Sequence, residues 1–243
     1  MTEDLLPLAP IAFAAALVYG LTGFGSALVA IPLATHFVPL PFALAVFVLL
    51  DLANTLRLGF QAPKSIDRAE WWRIALLIPF GTLLGVTVLV RLPRSGTMLA
   101  LGAFVVVFAL YSLVARGPRA TVRRGWAYVA GFAGGVSSAL FGAGGPPYVI
   151  YLSHRVLTKD AFRATLSAVI GVSVTTRLIA LFAIGAMSEP RVWIAALIAL
   201  PAAWLGMSLA ARAFARIGRE ALLRVIAVLL LASGAGLIVR ALG

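Results

Sequence analysis

Charged side chains are confined to short segments of this chain. No Asp, Glu, Lys or Arg occurs from Leu5 to Leu50, and the same holds for Ser95–Ala115, Gly125–Ser153 and Val192–Ala211. A helix needs about 20 apolar residues to cross the hydrocarbon core of a bilayer. Several of these runs are long enough, and a soluble core has no room to hide them all. The pattern predicts an all-α integral membrane protein, with the lipid bilayer as its first partner.

The pattern is also duplicated. Trp71, Pro79, Gly85 and Arg91 recur as Trp193, Pro201, Gly206 and Arg212, with one residue fewer between Pro and Gly. Earlier in each half, Thr22-Gly23-Phe24-Gly25-Ser26 lies against Phe141-Gly142-Ala143-Gly144-Gly145. Between these, Asn54-Thr55-Leu56-Arg57-Leu58 lies against Val174-Thr175-Thr176-Arg177-Leu178. Each half reads as a glycine-broken apolar segment followed by three transmembrane helices. The predicted repeats are residues 1–118 and 119–243, of about 120 residues each, joined at Gly117-Pro118-Arg119. Gly and Pro interruptions at matching positions of two halves point to the binding site of a transporter.

Lys and Arg favour the cytoplasmic side of a membrane protein, so their distribution tests the topology. Eight simple spans would leave ten basic residues on one side and nine on the other, with no bias. If Gly125–Ser153 enters and leaves on the same side, the balance changes. Fifteen basic residues, from the groups around Arg57–Arg73, Arg116–Arg124, Arg155–Arg163 and Arg212–Arg224, then share one face, and four (Arg91, Arg94, Arg191 and Arg240) the other. The segment has 29 residues, too few for two full spans and suited to a re-entrant pair of half-helices meeting at Gly142–Pro147. By the repeat, Leu5–Thr35 is the matching hairpin, broken at Gly20–Ser26. Two such hairpins would make the halves inverted relative to each other.

Composition agrees with this class. Of 243 residues, 62% are hydrophobic and 12% charged, with a mean hydropathy of +1.06; a soluble domain carries about 25% charged residues. The net charge of +12 does not point to nucleic acid, because the basic residues sit in short loops between apolar runs. Cysteine is absent, which excludes disulfides and thiolate metal sites. Two distant histidines, His36 and His154, argue against a histidine metal site, and no cofactor is expected. An intramembrane enzyme would need a nucleophile–base pair or a metal cluster, and the apolar segments offer neither. The start, Met1-Thr2-Glu3-Asp4, is acidic where a signal peptide is basic, so the segment is expected to be retained.

The paired glycine motifs, the run Gly142-Ala143-Gly144-Gly145-Pro146-Pro147 and the length together resemble the TauE/SafE family over nearly the whole chain. The resemblance implies a bacterial inner-membrane permease that exports sulfite or an organosulfonate. The first motif departs from the second, since Ser26 stands where Gly145 does and no Pro-Pro follows.

Glycines let a backbone turn and approach a ligand closely, and a broken helix offers N–H groups to an anion. The expected substrate site therefore comprises Thr22, Gly23, Gly25 and Ser26 in the first break and Gly142, Gly144, Gly145 and Pro146 in the second, with hydroxyls from Ser137 and Ser138. The alternative use of these small residues is close helix packing. Arg177 lies in an otherwise apolar segment, where a charge is expensive and marks a pathway or a paired site. It either contacts the anion, held by Thr175 and Thr176, or snorkels to the surface. Arg57, its repeat counterpart, is expected to snorkel. Asp51 is the first charge after the long N-terminal run, with Asn54 one turn on. Together they carry a coupling proton or ion, or Asp51 neutralises Arg177. His36, Trp71, Trp72, Trp126 and Trp193 read as interfacial, and the Arg212–Arg224 run as a cytoplasmic loop.

These readings amount to a secondary transporter working by alternating access on a small anion, with a proton or ion as coupling partner and a homodimer allowed. The competing reading is a permease for another solute, such as a carboxylate. Convergence of Arg177 and the Gly142–Gly145 amides on one cavity would favour the anion.

Overall fold

The computed structural model describes residues 5–59, 65–114, 121–155 and 157–213, with 231, 235, 238 and 239 beyond them. Met1–Asp4, Lys64, the repeat junction at Gly117–Arg119, Arg116, the basic residues Arg216, Arg219, Arg224 and Arg240, and most of the last expected span lie outside the described residues.

Among the described residues every regular element is a helix. The first is α1 (Leu8–Thr22), which stops because Gly23 takes a left-handed conformation, φ 81°, with its N–H on the Tyr19 carbonyl. Gly25, at φ 88°, repeats the turn, and α2 (Ser26–Ala34) runs on from it. Two left-handed residues so close together suit glycine and little else. A long α3 (Leu40–Gly59) follows. Asp67 caps α4 (Arg68–Ala75), accepting from the Ala69 and Glu70 amides at 3.0 Å each. After a short interruption the chain continues as α5 (Ile78–Arg91), and then α6 (Arg94–Val114).

A second glycine break follows further along the chain. α7 (Trp126–Phe141) ends at Gly142, φ 72°, and α8 (Gly145–Ser153) begins with Pro146 and Pro147 in its first turn. α9 (Lys159–Ala183) is capped by Thr158, and α10 (Pro190–Ala213) carries Pro201 inside it. Among the described residues, four stretches are long and apolar enough to cross a bilayer: Leu40–Arg57, Arg68–Arg91, Asp160–Ala183 and Pro190–Ala210. Phe80, Leu83, Leu197 and Leu205 on α5 and α10 point outward. An apolar exterior of that kind faces lipid, not water.

The most extensive helix pairings are α1 with α10 and α5 with α7, and glycines set both. Gly206 lies on the Phe13 carbonyl and Leu17 amide, and Gly85 lies on Val136 and Ala139. Gly81 and Gly135 face the backbone carbonyls of Phe132 and Ile78, with no room for a Cβ. Such contact lets dispersion, the main attraction between helices in lipid, act over the whole interface. α3 packs along α9 between these pairs.

Both ends of the α7–α8 segment are tied to one place. Arg155, just after α8, donates from Nη1 to the carbonyl of Val122, just before α7, at 3.0 Å. The same arginine reaches Glu70 at the start of α4. Near the other end of α9, a cavity of about 410 Å³ opens between the α2–α3 turn (Phe37, Pro39, Phe42) and the α9–α10 turn (Gly185, Glu189, Arg191).

Candidate functional site

The two glycine breaks meet. Phe24 of the first packs against Gly145 of the second, and Gly142 sits against Ala27 and Ile31 of α2. Asp51 of α3 and Arg177 of α9 close the site, with Nη2 of the arginine 2.7 Å from Oδ2 of the aspartate. Ser26 Oγ donates to the other carboxylate oxygen at 2.6 Å. Arg177 Nη1 also donates to the Ser138 carbonyl at 3.4 Å, beside Gly142. The guanidinium is therefore held by α3 on one side and by the end of α7 on the other.

This settles the first alternative for Arg177. Its side chain is 1% exposed and turned inward, so it does not snorkel. The threonines expected to hold it do not. Thr175 is exposed, and Thr176 donates to the Ser173 carbonyl at 3.0 Å with Thr82 of α5 3.4 Å away. Helical spacing is the reason, since positions 173 and 174 share the face of 177 while 175 and 176 turn away from it. Arg57 also departs from expectation. It donates to the Trp204 carbonyl at 3.1 Å and to Ser208 Oγ at 3.0 Å, crossing to α10 instead of reaching for water.

A small cavity of about 30 Å³ lies between the tips. Of the expected residues, Gly25, Ser26, Asp51, Ser138, Gly142, Gly144, Gly145 and Pro146 line it. Arg177 stands directly behind, bonded to Asp51. The others stand apart. Thr22 hydrogen-bonds the Val18 carbonyl and braces the turn, Gly23 faces Arg163, and Ser137 bonds back to the Gly134 carbonyl at 3.2 Å. Asn54 is buried near Asp51 in sequence, but its Oδ1 has no partner among the described residues and it does not line the cavity. The volume is enough for a water molecule and too small for a sulfur oxyanion.

The donors at the two tips are unequal. The first turn of α8 includes Pro146 and Pro147, which carry no N–H. The first turn of α2 is Ser26, Ala27 and Leu28, whose amides have no side-chain cap and all of which line the cavity. The helix end best equipped for an anion is thus that of the first hairpin, the reverse of what the Pro-Pro motif suggests.

Several polar residues here escaped the sequence reading. Tyr19 OH lies 2.9 Å from Thr55 Oγ1, and Tyr148 OH donates to Ser173 Oγ at 3.1 Å; both tyrosines line the cavity. The available signal was a tyrosine within a turn of each glycine break. Glu70 is the larger omission. It is buried, accepting from Tyr151 OH at 2.6 Å and from Arg155 Nε at 3.1 Å, with Arg73 Nη1 at 3.4 Å.

Helices that bury an ion pair between α3 and α9 beside two glycine breaks, inside an exterior fit for lipid, make up a multi-pass membrane protein. The comparison with known families agrees: the sulfite exporter TauE/SafE family model matches residues 8–237, and the chain belongs to that family. The protein is a transporter and not an enzyme. It is 28% identical, over 194 residues, to the probable inner membrane transporter protein TsaS of Comamonas testosteroni, covering 78% of this chain and 80% of that protein. No solved structure matches.

Proposed function

We propose that this protein is a secondary transporter of the bacterial inner membrane that exports a small oxyanion, sulfite or an organosulfonate, from a site at the two hairpin tips. The observation that carries the reading is the meeting of both glycine breaks at one cavity in front of Arg177, a buried cation whose Nε has no partner among the described residues. A buried guanidinium with a spare donor, the uncapped amides of α2 and the hydroxyls of Ser26 and Ser138 suit a tetrahedral or pyramidal oxyanion. Asp51 neutralises Arg177 while the site is empty and is the candidate coupling residue.

Alternating access would proceed by rocking the two repeats about this site. The tie between Val122 and Arg155 supports a re-entrant α7–α8 hairpin. The equivalent seating of Gly206 on α1 and Gly85 on α7 supports two related halves. The closed cavity then corresponds to an occluded state between the two openings.

The test is uptake of [35S]sulfite and [35S]sulfoacetate into liposomes holding purified protein, with oxalate, taurine and sulfate as competitors. Saturable uptake of the sulfur oxyanions, lost in Arg177→Ala, is expected. Competition by oxalate alone would transfer the assignment to a carboxylate.

A further inference from the structure

Asp51 occupies the place that an anionic substrate would need. Its carboxylate takes the Arg177 Nη2 donor at 2.7 Å and the Ser26 hydroxyl at 2.6 Å, at the N-terminus of α2. The guanidinium, the Ser26 hydroxyl and the α2 helix end are among the groups to which the proposed oxyanion would bind. We infer that Asp51 is a built-in stand-in for the substrate, and that the anion displaces it only together with a proton, which Asp51 carries. The inference rests on the anion reading above and adds the identity and sign of the coupling, with export driven by the anion's own outward gradient.

Charge balance at the site carries the argument. Empty, the site holds Arg177 positive and Asp51 negative, and is neutral. With a monoanion on Arg177 and a proton on Asp51, it is neutral again. The two mixed states are not. An anion beside an ionised Asp51 leaves one net negative charge in the middle of the protein, and a protonated Asp51 without an anion leaves one net positive charge. Uncompensated charge is strongly disfavoured at membrane depth. Only the two neutral forms are suited to moving the site from one opening to the other, so one proton accompanies each monoanion in the same direction. The proton comes from water on the loading side, binds a carboxylate oxygen of Asp51, and leaves to water on the far side as the ion pair reforms.

No other described group is placed to take this role. Asp51 is faced by Arg177 from α9, by Ser26 from α2, and by Tyr19 from α1, with Arg163 beyond the tyrosine. Asn54, a turn away on α3, does not titrate. α10, also packed on α3, carries its charges at Arg191 and Arg212, near its ends. Glu70, the other buried carboxylate among the described residues, is engaged with Tyr151 and Arg155.

The test uses methanesulfonate, a strong acid that carries no proton itself. Liposomes holding the protein and a trapped pH dye receive [35S]methanesulfonate from outside. We expect about one proton to enter per anion, no dependence on a potassium–valinomycin potential, and a half-saturating concentration that rises about tenfold per pH unit once Asp51 is ionised. In Asp51→Asn the pH slope should vanish and the remaining flux should follow the membrane potential. Potential-driven uptake without protons in the unaltered protein would overturn the coupling while leaving anion transport in place. Unchanged proton movement in Asp51→Asn would also overturn it. Absence of any anion uptake by the unaltered protein would instead remove the sulfonate reading on which the inference rests.

Discussion

Arg155 Nη1 lies 3.0 Å from the carbonyl oxygen of Val122, so a residue two positions beyond α8 is bonded to one four positions before α7. A segment whose two ends touch begins and finishes on one face of the protein. The chain contains no cysteine, which makes it a ready background for mapping that face. With single cysteines, Thr121→Cys and Thr158→Cys should react with an impermeant maleimide from the cytoplasmic side. Phe37→Cys and Ser188→Cys, at the other end, should react from outside. Labelling of positions 121 and 158 from opposite sides would refute the hairpin.

The buried ion pair should behave as a unit. Arg177→Ala leaves the buried Asp51 carboxyl without its partner, and Asp51→Ala leaves the Arg177 charge without its own. Either change should lower stability by about 3–5 kcal/mol, whereas the Asp51→Ala/Arg177→Ala pair should lose clearly less than the sum. Thermal unfolding in detergent, read as a double-mutant cycle, measures the difference. Additive losses would mean that the 2.7 Å contact contributes little. Arg177→Lys keeps the charge but not the planar fork, so it should fold and transport poorly.

Much of this was readable from the sequence, for reasons that differ by residue. The breaks were legible because a left-handed backbone at Gly23, Gly25 and Gly142 demands glycine. Arg177 was legible because a charge in an apolar run needs an explanation. Its partner was nameable only as one of two options, since 126 positions separate Arg177 from Asp51 and only the packing of α3 on α9 brings them together. Glu70 was not legible. It sits among charged residues that look like a loop, and its burial depends on Tyr151 and Arg155, more than 80 positions away. The pairing of α1 with α10 and α5 with α7 was hidden for a different reason. Small residues occur throughout the chain, and composition does not say which glycine meets which backbone.

Those glycine contacts yield a stability prediction. A methyl group at Gly81 or Gly135 would meet a backbone carbonyl, of Phe132 or Ile78, and backbone cannot move aside as a flexible side chain can. Gly81→Ala and Gly135→Ala should each cost about 1–3 kcal/mol or more through overpacking, and reduce the yield of monodisperse protein in size-exclusion profiles. Gly125→Ala is the control, with nothing within 4 Å of the added carbon. Equal behaviour of all three would show that α5 and α7 are less closely packed than described.

Phe24 and Gly145 make a more local case. An alanine at 145 would press on the Phe24 ring, the side chain that the first tip lays across the second. Gly145→Ala should therefore slow transport by keeping the tips apart, and trimming the ring in Gly145→Ala/Phe24→Leu should restore part of the rate. If the second change worsens the first, the defect lies in the backbone at position 145 and not in the contact.

Glu70 joins the start of α4 to the end of α8 through Tyr151 and Arg155, at the end of the protein where the α7–α8 hairpin closes on itself. On the proposed alternating access, an opening of the site toward that side would part α8 from α4, against the bonds of this cluster. Glu70→Ala leaves the half-buried Arg155 and the Tyr151 hydroxyl without their acceptor and should cost about 1–3 kcal/mol. Glu70→Gln keeps an acceptor for Tyr151 while removing the charge that holds Arg155, so it should fold and loosen the junction. In that background Ala143→Cys, at the hairpin tip, should react faster with a cytoplasmic thiol reagent than in the otherwise unaltered chain. A lower melting temperature with no change in labelling rate would make the cluster a brace for the fold with no part in opening the site.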